Sequence, residues 1–208
     1  MKFNTFKNLR KKFLQENNHK DHAAIDGSNH VLISAPHGVS QVRLGKNKVA
    51  EIGSLSLALI LAKKCDTNLI AKTKNSFDDA NFDQICAYKL KLDKIVSSKQ
   101  ITHIIDFHGL APSRPMDINL GINFGHNTET DPELLNKLIS ALESHNFMVS
   151  IDQPFSGGSN TIAGSSKMKH TAVWTIQIEV NSALTNKAEN IERLNLLIDV
   201  LSNWIKQI

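Results

Sequence analysis

The chain has 208 residues, a formal net charge of +4 and a hydrophobic fraction of 41%, values that are ordinary for a globular protein in water. No apolar run approaches the ~20 residues of a membrane span, and the basic N-terminus lacks the apolar core of a secretory signal. The lysines are scattered, and no run interleaves them with aromatic residues as a nucleic-acid stacking platform would. We therefore expect one catalytic domain over residues 1–208, located in the cytoplasm, that binds neither nucleic acid nor a membrane.

Helical spacing of Phe3, Phe6, Leu9 and Phe13 predicts an amphipathic helix within residues 1–20 that packs on the body of the protein. Strands are then predicted at 31–35, 68–71, 102–107, 118–124, 147–151 and 172–180, and helices at 51–64, 82–97, from near 131, and at 186–205. Strands that alternate with helices of this length indicate an α/β fold, with a mainly parallel sheet covered on both faces. Cys65 and Cys86 are expected to be reduced thiols on helices.

Two of the predicted strands are followed by a histidine and a glycine, His37-Gly38 and His108-Gly109. The carboxyl ends of strands are where ligands bind in open α/β sheets, and glycine permits a close backbone approach. Catalytic zinc sites commonly use two histidines and one glutamate, with a further position open to water. The sequence therefore predicts a zinc ion bound by His37 and His108.

Two carboxylates compete for the third ligand position. Glu51 opens the helix after the loop that carries His37, so its first turn can face the same crevice, although a glutamate there also suits the helix dipole. Asp79 is the alternative, and the sequence favours Glu51 over it. Asp106 lies two residues before His108 and shares its strand face, so it is expected to accept the second ring N–H of a ligand histidine.

The last predicted strand places Thr175, Gln177, Glu179 and Asn181 on one face. These polar residues would cover a solvated face if the strand were at an edge. In a central strand, a partly buried glutamate would have a raised pKa, as a general base near neutral pH needs. We take Glu179 as the candidate base, which would accept a proton from water activated by the zinc and pass it to a leaving nitrogen.

Only four arginines accompany the 20 lysines, and two of them, Arg43 and Arg114, follow His37 and His108 by six residues each. A guanidinium near a metal crevice indicates bidentate binding of a carboxylate, so the substrate is expected to be acidic. The glycine-rich loop at 155–166 is too long for a tight turn. It is either disordered surface or an active-site flap.

Six segments recur in an order that is similar to the N-formylglutamate amidohydrolase family, which is related to the zinc carboxypeptidases. They are 34–38 (SAPHG), 43–51 (RLGKNKVAE), 79–82 (DANF), 106–109 (DFHG), 114–118 (RPMDI) and 177–181 (QIEVN). The resemblance implies a phosphorylase/hydrolase-like, three-layer α/β/α fold and one zinc ion per chain. It makes His37, Glu51 and His108 the ligands, Glu179 the catalytic carboxylate, and Arg43 and Arg114 the contacts to a substrate carboxylate. Asn81 and Asn181, which lie in two of the segments, are expected to contact the substrate as well.

The predicted function is a zinc-dependent hydrolase that cleaves an amide bond of a small acidic substrate, such as an N-formyl or N-acyl amino acid. A peptidase acting on a peptide C-terminus, or a γ-glutamyl hydrolase, would use the same chemistry. A closed flap at 157–158 favours small molecules, and an open groove favours chains. A non-catalytic binding protein on the same fold is a third possibility, and the sequence leaves the oligomeric state open.

Overall fold

Strands and helices alternate along the chain in the computed structural model, which describes residues 1–208. The strands are β1 (His22–Ile25), β2 (Val31–Ala35), β3 (Gln41–Arg43), β4 (Lys46–Lys48), β5 (Asn68–Lys72), β6 (His103–Leu110), β7 (Ile118–Gly121), β8 (Val149–Ile151) and β9 (Trp174–Asn181). The helices are α1 (Phe3–Glu16), α2 (Ile52–Cys65), α3 (Ala87–Ser98), α4 (Pro132–Ser144), α5 (Ile162–Lys169), α6 (Ser182–Asn186) and α7 (Ile191–Ile205), with a 3-10 turn at Ala188–Asn190.

Seven strands form one sheet in the order β1-β5-β2-β6-β9-β7-β8, and β3 and β4 form a separate hairpin. The pairs β5–β2, β2–β6, β6–β9 and β7–β8 are parallel, whereas β1–β5 and β9–β7 are antiparallel. This mainly parallel, mixed sheet confirms the α/β prediction.

Helices cover both faces of the sheet because its central strands are apolar on both sides. The larger core packs α1, α2, α4 and α7 on one face, against side chains such as Ile33, Ile105 and Ile176. A smaller core packs α3 and the start of α5 on the other face, against Leu32 and Ile104. The polar side chains near the carboxyl ends of β6 and β9 lie on this second face. They alternate along each strand with the side chains that point into the larger core.

Strand β9 lies between β6 and β7, and all eight of its residues are buried. The polar face that the sequence gives to this strand therefore does not cover a solvated edge. It points Thr175, Gln177 and Glu179 into the protein, which is the central-strand alternative.

Several predicted boundaries were wrong, for local reasons. The strand predicted at 118–124 ends at Gly121, because Asn123 and Phe124 adopt positive φ angles. The helix predicted at 82–97 starts only at Ala87, since the backbone N–H groups of Phe82 and Asp83 turn back onto the Asp79 carbonyl. The strand predicted at 147–151 begins at Val149. The helix predicted at 186–205 begins only at Ile191 as α7, because Lys187 is extended and a 3-10 turn follows it.

Strand β1, the β3–β4 hairpin and the short helices α5 and α6 were not predicted. The hairpin turn has Leu44 and Gly45 at positive φ, and leucine at such a position gives none of the usual Asn-Gly or Asp-Gly signal.

The N-terminal helix α1 lies against α2 and buries Phe6 and Phe13. Both cysteines are free and buried, with Cys65 in α2 and Cys86 just before α3 rather than within it. None of the helices has the length and apolar character needed to cross a bilayer.

Candidate metal centre and active site

The candidate site lies at the carboxyl ends of β2, β6 and β9, three neighbouring parallel strands. His37 lies two residues beyond the end of β2, after Pro36. His108 lies within β6 rather than beyond its end, and it is paired in register with Glu179 of β9. The topology therefore brings together three residues that are far apart in the sequence.

Glu51 faces both histidines. His37 Nδ1 lies 2.9 Å from Glu51 Oε1, and His108 Nδ1 lies 3.0 Å from Glu51 Oε2. Ligand atoms of the three side chains all lie within 4.8 Å of one another. Two imidazole nitrogens and one carboxylate form the donor set of a catalytic zinc site, so these residues fit the metal that the resemblance implies.

The second nitrogen of each imidazole contacts an aspartate that is fully buried. His37 Nε2 lies 2.8 Å from Asp79 Oδ1, and His108 Nε2 lies 2.9 Å from Asp106 Oδ2. Carboxylates in these positions fix the ring orientation and leave Nδ1 free to face a metal. Glu51, and not Asp79, is the carboxylate that contacts Nδ1 of both imidazoles, whereas Asp79 and Asp106 each contact Nε2 of one ring.

The glycine after His108 lets α2 approach the sheet. Gly109 N–H donates to Glu51 Oε2 at 3.0 Å. A Cβ added at Gly109 would lie 3.3 Å from Glu51 Cβ, tighter than ordinary van der Waals contact. The small residue thus allows the close approach that places Glu51 beside His108.

Charges in this cluster depend strongly on one another. Burial would raise the pKa of Glu51, but the two imidazoles hold it well below its usual range. Burial would lower the pKa of His108, but Asp106 and Glu51 raise it well above its usual value. Burial also opposes ionisation of Asp79, yet His37 and Arg43 lower the pKa of that carboxyl. The carboxylates therefore stay ionised in a buried place, where they can bind a cation.

The pKa of Glu179 is shifted upwards, in the opposite direction from those of Glu51 and Asp79. Glu179 is 5% exposed, and burial raises its pKa to about 7 against the opposing attraction of His108. Gln177 Nε2 donates to Glu179 Oε1 at 2.7 Å and fixes the side chain. A carboxyl group with a pKa near neutrality can both accept and release a proton.

Replacing Asp106 with asparagine is expected to lower the affinity for zinc by about 10- to 100-fold, because His108 loses its charged orienting partner. The affinity can be measured by competition with a chromophoric chelator. Asp93→Asn is the matched control, since Asp93 Oδ1 lies 3.2 Å from His170 Nε2 in a similar pair away from the site. Equal zinc affinity in the two variants would contradict this role for Asp106.

Above the cluster opens a cavity of about 350 Å³, whose lining residues are mostly charged or polar side chains and glycines. Arg43, Lys48 and Arg114 contribute three cationic side chains to its wall. Arg43 Nε donates to Asp79 Oδ2 at 2.8 Å, and its guanidinium lies over the ring of Phe82. Arg114 forms no ion pair within the chain. The cavity is therefore suited to a small, negatively charged molecule.

The glycine-rich loop that the sequence left as disordered surface or flap forms part of this wall. Ser156, Gly157 and Gly158 line the cavity. Asn127 Nδ2 donates to the Gly157 carbonyl at 2.9 Å, and Asn119 Oδ1 accepts from Phe155 N–H at 3.1 Å. The first part of the loop therefore lies against the site, whereas residues 162–166, which were predicted as loop, begin helix α5.

The two candidate asparagines are placed differently. Asn81 lines the cavity, and its Oδ1 accepts from Ile162 N–H at 2.7 Å, which leaves the amide N–H groups for a ligand. Asn181 lies outside the wall. Its Nδ2 donates to the carbonyls of Arg114 and Met116, at 3.0 and 2.9 Å, so it holds the segment that carries Arg114.

Sequence reasoning missed Lys48 and Gln177 as members of the site. Lys48 Nζ lies 2.6 Å from Glu51 Oε1. Its strand was not predicted, so the available signal was its place in the segment 43–51, three residues before Glu51. Gln177 shares a strand face with Glu179, and that spacing did place the two side chains on the same side.

Comparison with known proteins confirms the resemblance. A family model described as N-formylglutamate amidohydrolase matches residues 87–185, slightly under half of the chain. No match was found among curated proteins.

Solved structures show the shared fold. A gene product of Agrobacterium tumefaciens superposes with a TM-score of 0.68 at 13% identity, over 95% of this chain and 98% of that one. N-formylglutamate amidohydrolase from Ralstonia eutropha JMP134 gives 0.62 at 12% identity, over 90% and 96% of the two chains. A metallo-carboxypeptidase from Burkholderia cenocepacia gives 0.54 at 11% identity, over 94% of this chain and 68% of that one. The carboxypeptidase-like α/β/α fold implied by the sequence motifs is confirmed.

Proposed function

From its resemblance to the N-formylglutamate amidohydrolases, we propose that this chain is a zinc-dependent hydrolase of amide bonds in small acidic substrates. N-formyl and N-acyl amino acids are the substrate class. One observation carries the proposal: His37, Glu51 and His108 face one another at the base of a polar cavity, with the buried carboxyl of Glu179 on the neighbouring strand. A residue can then be proposed for each part of the reaction.

His37 Nδ1, His108 Nδ1 and the Glu51 carboxylate would hold the zinc. The ion, when bound, supplies Lewis acidity that polarises the substrate carbonyl and makes a water molecule more acidic. Asp79 and Asp106 keep the two imidazoles in the ligand orientation.

Glu179 would move the proton. As a carboxylate it accepts a proton from the attacking water while the water oxygen bonds to the amide carbon and the carbonyl π electrons move to oxygen. It then donates that proton to the amide nitrogen as the C–N bond breaks, so that a carboxylic acid and an amine leave. The raised pKa and the hydrogen bond from Gln177 suit both steps.

Arg114 and Arg43 would bind the substrate carboxylate. Arg114 has no acidic partner. Arg43 contacts Asp79 through Nε, so the two terminal nitrogens of its guanidinium remain available to a ligand. A planar guanidinium can hold a carboxylate through two parallel hydrogen bonds. The size of the cavity and the anchored loop at 155–158 support small molecules rather than polymers as substrates.

The test is a substrate panel with zinc-loaded protein. We expect N-formyl and N-acetyl derivatives of glutamate and aspartate to have kcat/KM values at least ~10-fold above those of alanine and leucine derivatives, because a hydrogen bond to a charged group contributes at least about that much. Arg114→Met should reduce this ratio. Faster cleavage of peptides or of poly-γ-glutamate would contradict the small-substrate proposal, and no cleavage of any amide by zinc-loaded protein would contradict the hydrolase proposal.

A further inference from the structure

Lys48 is a cation of the cavity to which neither the sequence motifs nor the proposed mechanism gives a task. It ends β4, and its side chain is 28% exposed. Its Nζ lies 2.6 Å from Glu51 Oε1, the oxygen that is itself 2.9 Å from His37 Nδ1. The ammonium group therefore contacts one of the three proposed zinc ligands.

Glu51 does not need Lys48 for its hydrogen bonds. Its Oε1 already contacts His37 Nδ1, and its Oε2 contacts His108 Nδ1 and Gly109 N–H. An ammonium group has three N–H donors, and Glu51 is the single partner of Lys48 in the structure. Two donors of Lys48 are therefore free, and Lys48 lines the cavity.

The two arginines of the cavity wall are placed differently from Lys48. Arg43 Nε is bound to Asp79, behind His37, and Arg114 is exposed in the segment after β6. Lys48 alone among the three cations of the wall contacts a residue that faces both imidazoles. A lysine ammonium is a compact charge with rotatable donors, whereas a guanidinium is a planar fork suited to carboxylates. The arginines are therefore suited to binding the substrate carboxylate, and Lys48 is suited to contacting the carbonyl group that reacts.

We infer that Lys48 is a catalytic residue that donates a hydrogen bond to the carbonyl oxygen of the scissile amide as negative charge develops there. This inference rests on the proposed function. The water oxygen bonds to the carbonyl carbon, the π electron pair moves to oxygen, and the ammonium of Lys48 stabilises that oxygen without giving up its proton. When the C–N bond breaks, the C=O bond reforms and the hydrogen bond weakens again. Donors placed in this way act on the transition state more than on the bound substrate.

The experiment compares Lys48→Met and Lys48→Arg with the wild type, with Lys46→Met as the matched control. Lys46 is exposed on the same strand and forms no ion pair. Each zinc-loaded protein is assayed for kcat and KM on its best N-acyl amino acid, and its zinc affinity is measured by chelator competition. Its affinity for the corresponding phosphonamidate, whose tetrahedral phosphorus mimics the adduct, and for the product amino acid is measured by calorimetry.

We expect Lys48→Met to lower kcat about 100-fold, as loss of one oxyanion donor does, while KM changes little and zinc remains bound. The affinity for the phosphonamidate should fall by a similar factor and that for the product should not. Lys48→Arg should restore part of kcat, and Lys46→Met should match the wild type.

Three results would overturn the inference. If KM rises while kcat is unchanged, Lys48 binds the substrate carboxylate instead. If zinc affinity falls while kcat at saturating zinc is that of the wild type, Lys48 only positions Glu51. If kcat, KM and phosphonamidate affinity all stay at wild-type values, Lys48 does not touch the reacting atoms. Failure of the proposed function is separate, because it appears in the wild type as absent zinc or absent hydrolysis, and the inference then fails with it.

Discussion

Replacing Glu179 with glutamine is expected to lower kcat by about 10³-fold, in the range found for loss of a general acid–base group. Glutamine has nearly the same shape, but its amide cannot accept the proton of the attacking water. Zinc content should stay unchanged, since Glu179 is not among the three residues that face one another as a ligand set. The measurements are steady-state kinetics on the best substrate of the panel and metal analysis of the same protein sample.

Glu189→Gln is the matched control, because it makes the same chemical change at a carboxylate that is 73% exposed. It should retain wild-type kcat. If Glu179→Gln also retains wild-type kcat with zinc bound, Glu179 has no part in the mechanism. If instead the variant loses its zinc, the carboxylate belongs to the metal site and the division of roles proposed for Glu51 and Glu179 is wrong.

Replacing both His37 and His108 with alanine is expected to abolish zinc binding and, with it, all hydrolysis. Two of the three proposed ligands are removed, and a lone carboxylate does not hold zinc at neutral pH. Elemental analysis should give about one zinc per chain in the wild type, as a single three-ligand site requires, and none in the double variant. His19→Ala with His145→Ala is the control, since both of these histidines are exposed.

The double variant also leaves Asp79 and Asp106 buried without their histidine partners, so its folding must be checked by circular dichroism. A second measurement keeps the prediction testable if the variant does not fold. Dialysis of the wild type against a chelator should remove the zinc and the activity, and added zinc should restore both. Full activity of metal-free wild type would show that zinc is not required.

The sequence predicted the α/β class correctly because periodicity records which sides of a segment are buried. The apolar runs before His37 and His108 indicated strands buried on both faces, and the polar alternation at 175–181 placed Gln177 and Glu179 on one side. Each of these signals comes from neighbouring residues, so it can be recognised without knowledge of the tertiary structure.

Local signals could not choose between Glu51 and Asp79. Glu51 is 14 residues from His37 and 57 from His108, and only the packing of α2 against β6 decides that it faces both. The structure places Asp79 on the opposite side of His37. The contacts behind the roles proposed for Glu51 as ligand and Asp79 as orienting carboxylate therefore depend on topology, which local signals do not record.

The sequence by itself determined the strand–helix order, the His-Gly pairs and the polar face of the last strand, because these depend on neighbouring residues. The tertiary structure alone decided that β9 is central, that Glu179 is buried with a pKa near 7, and that Lys48 reaches Glu51 from an unpredicted hairpin. Burial and charge at a site depend on which strands become neighbours, and strand order is set by the packing of the whole sheet.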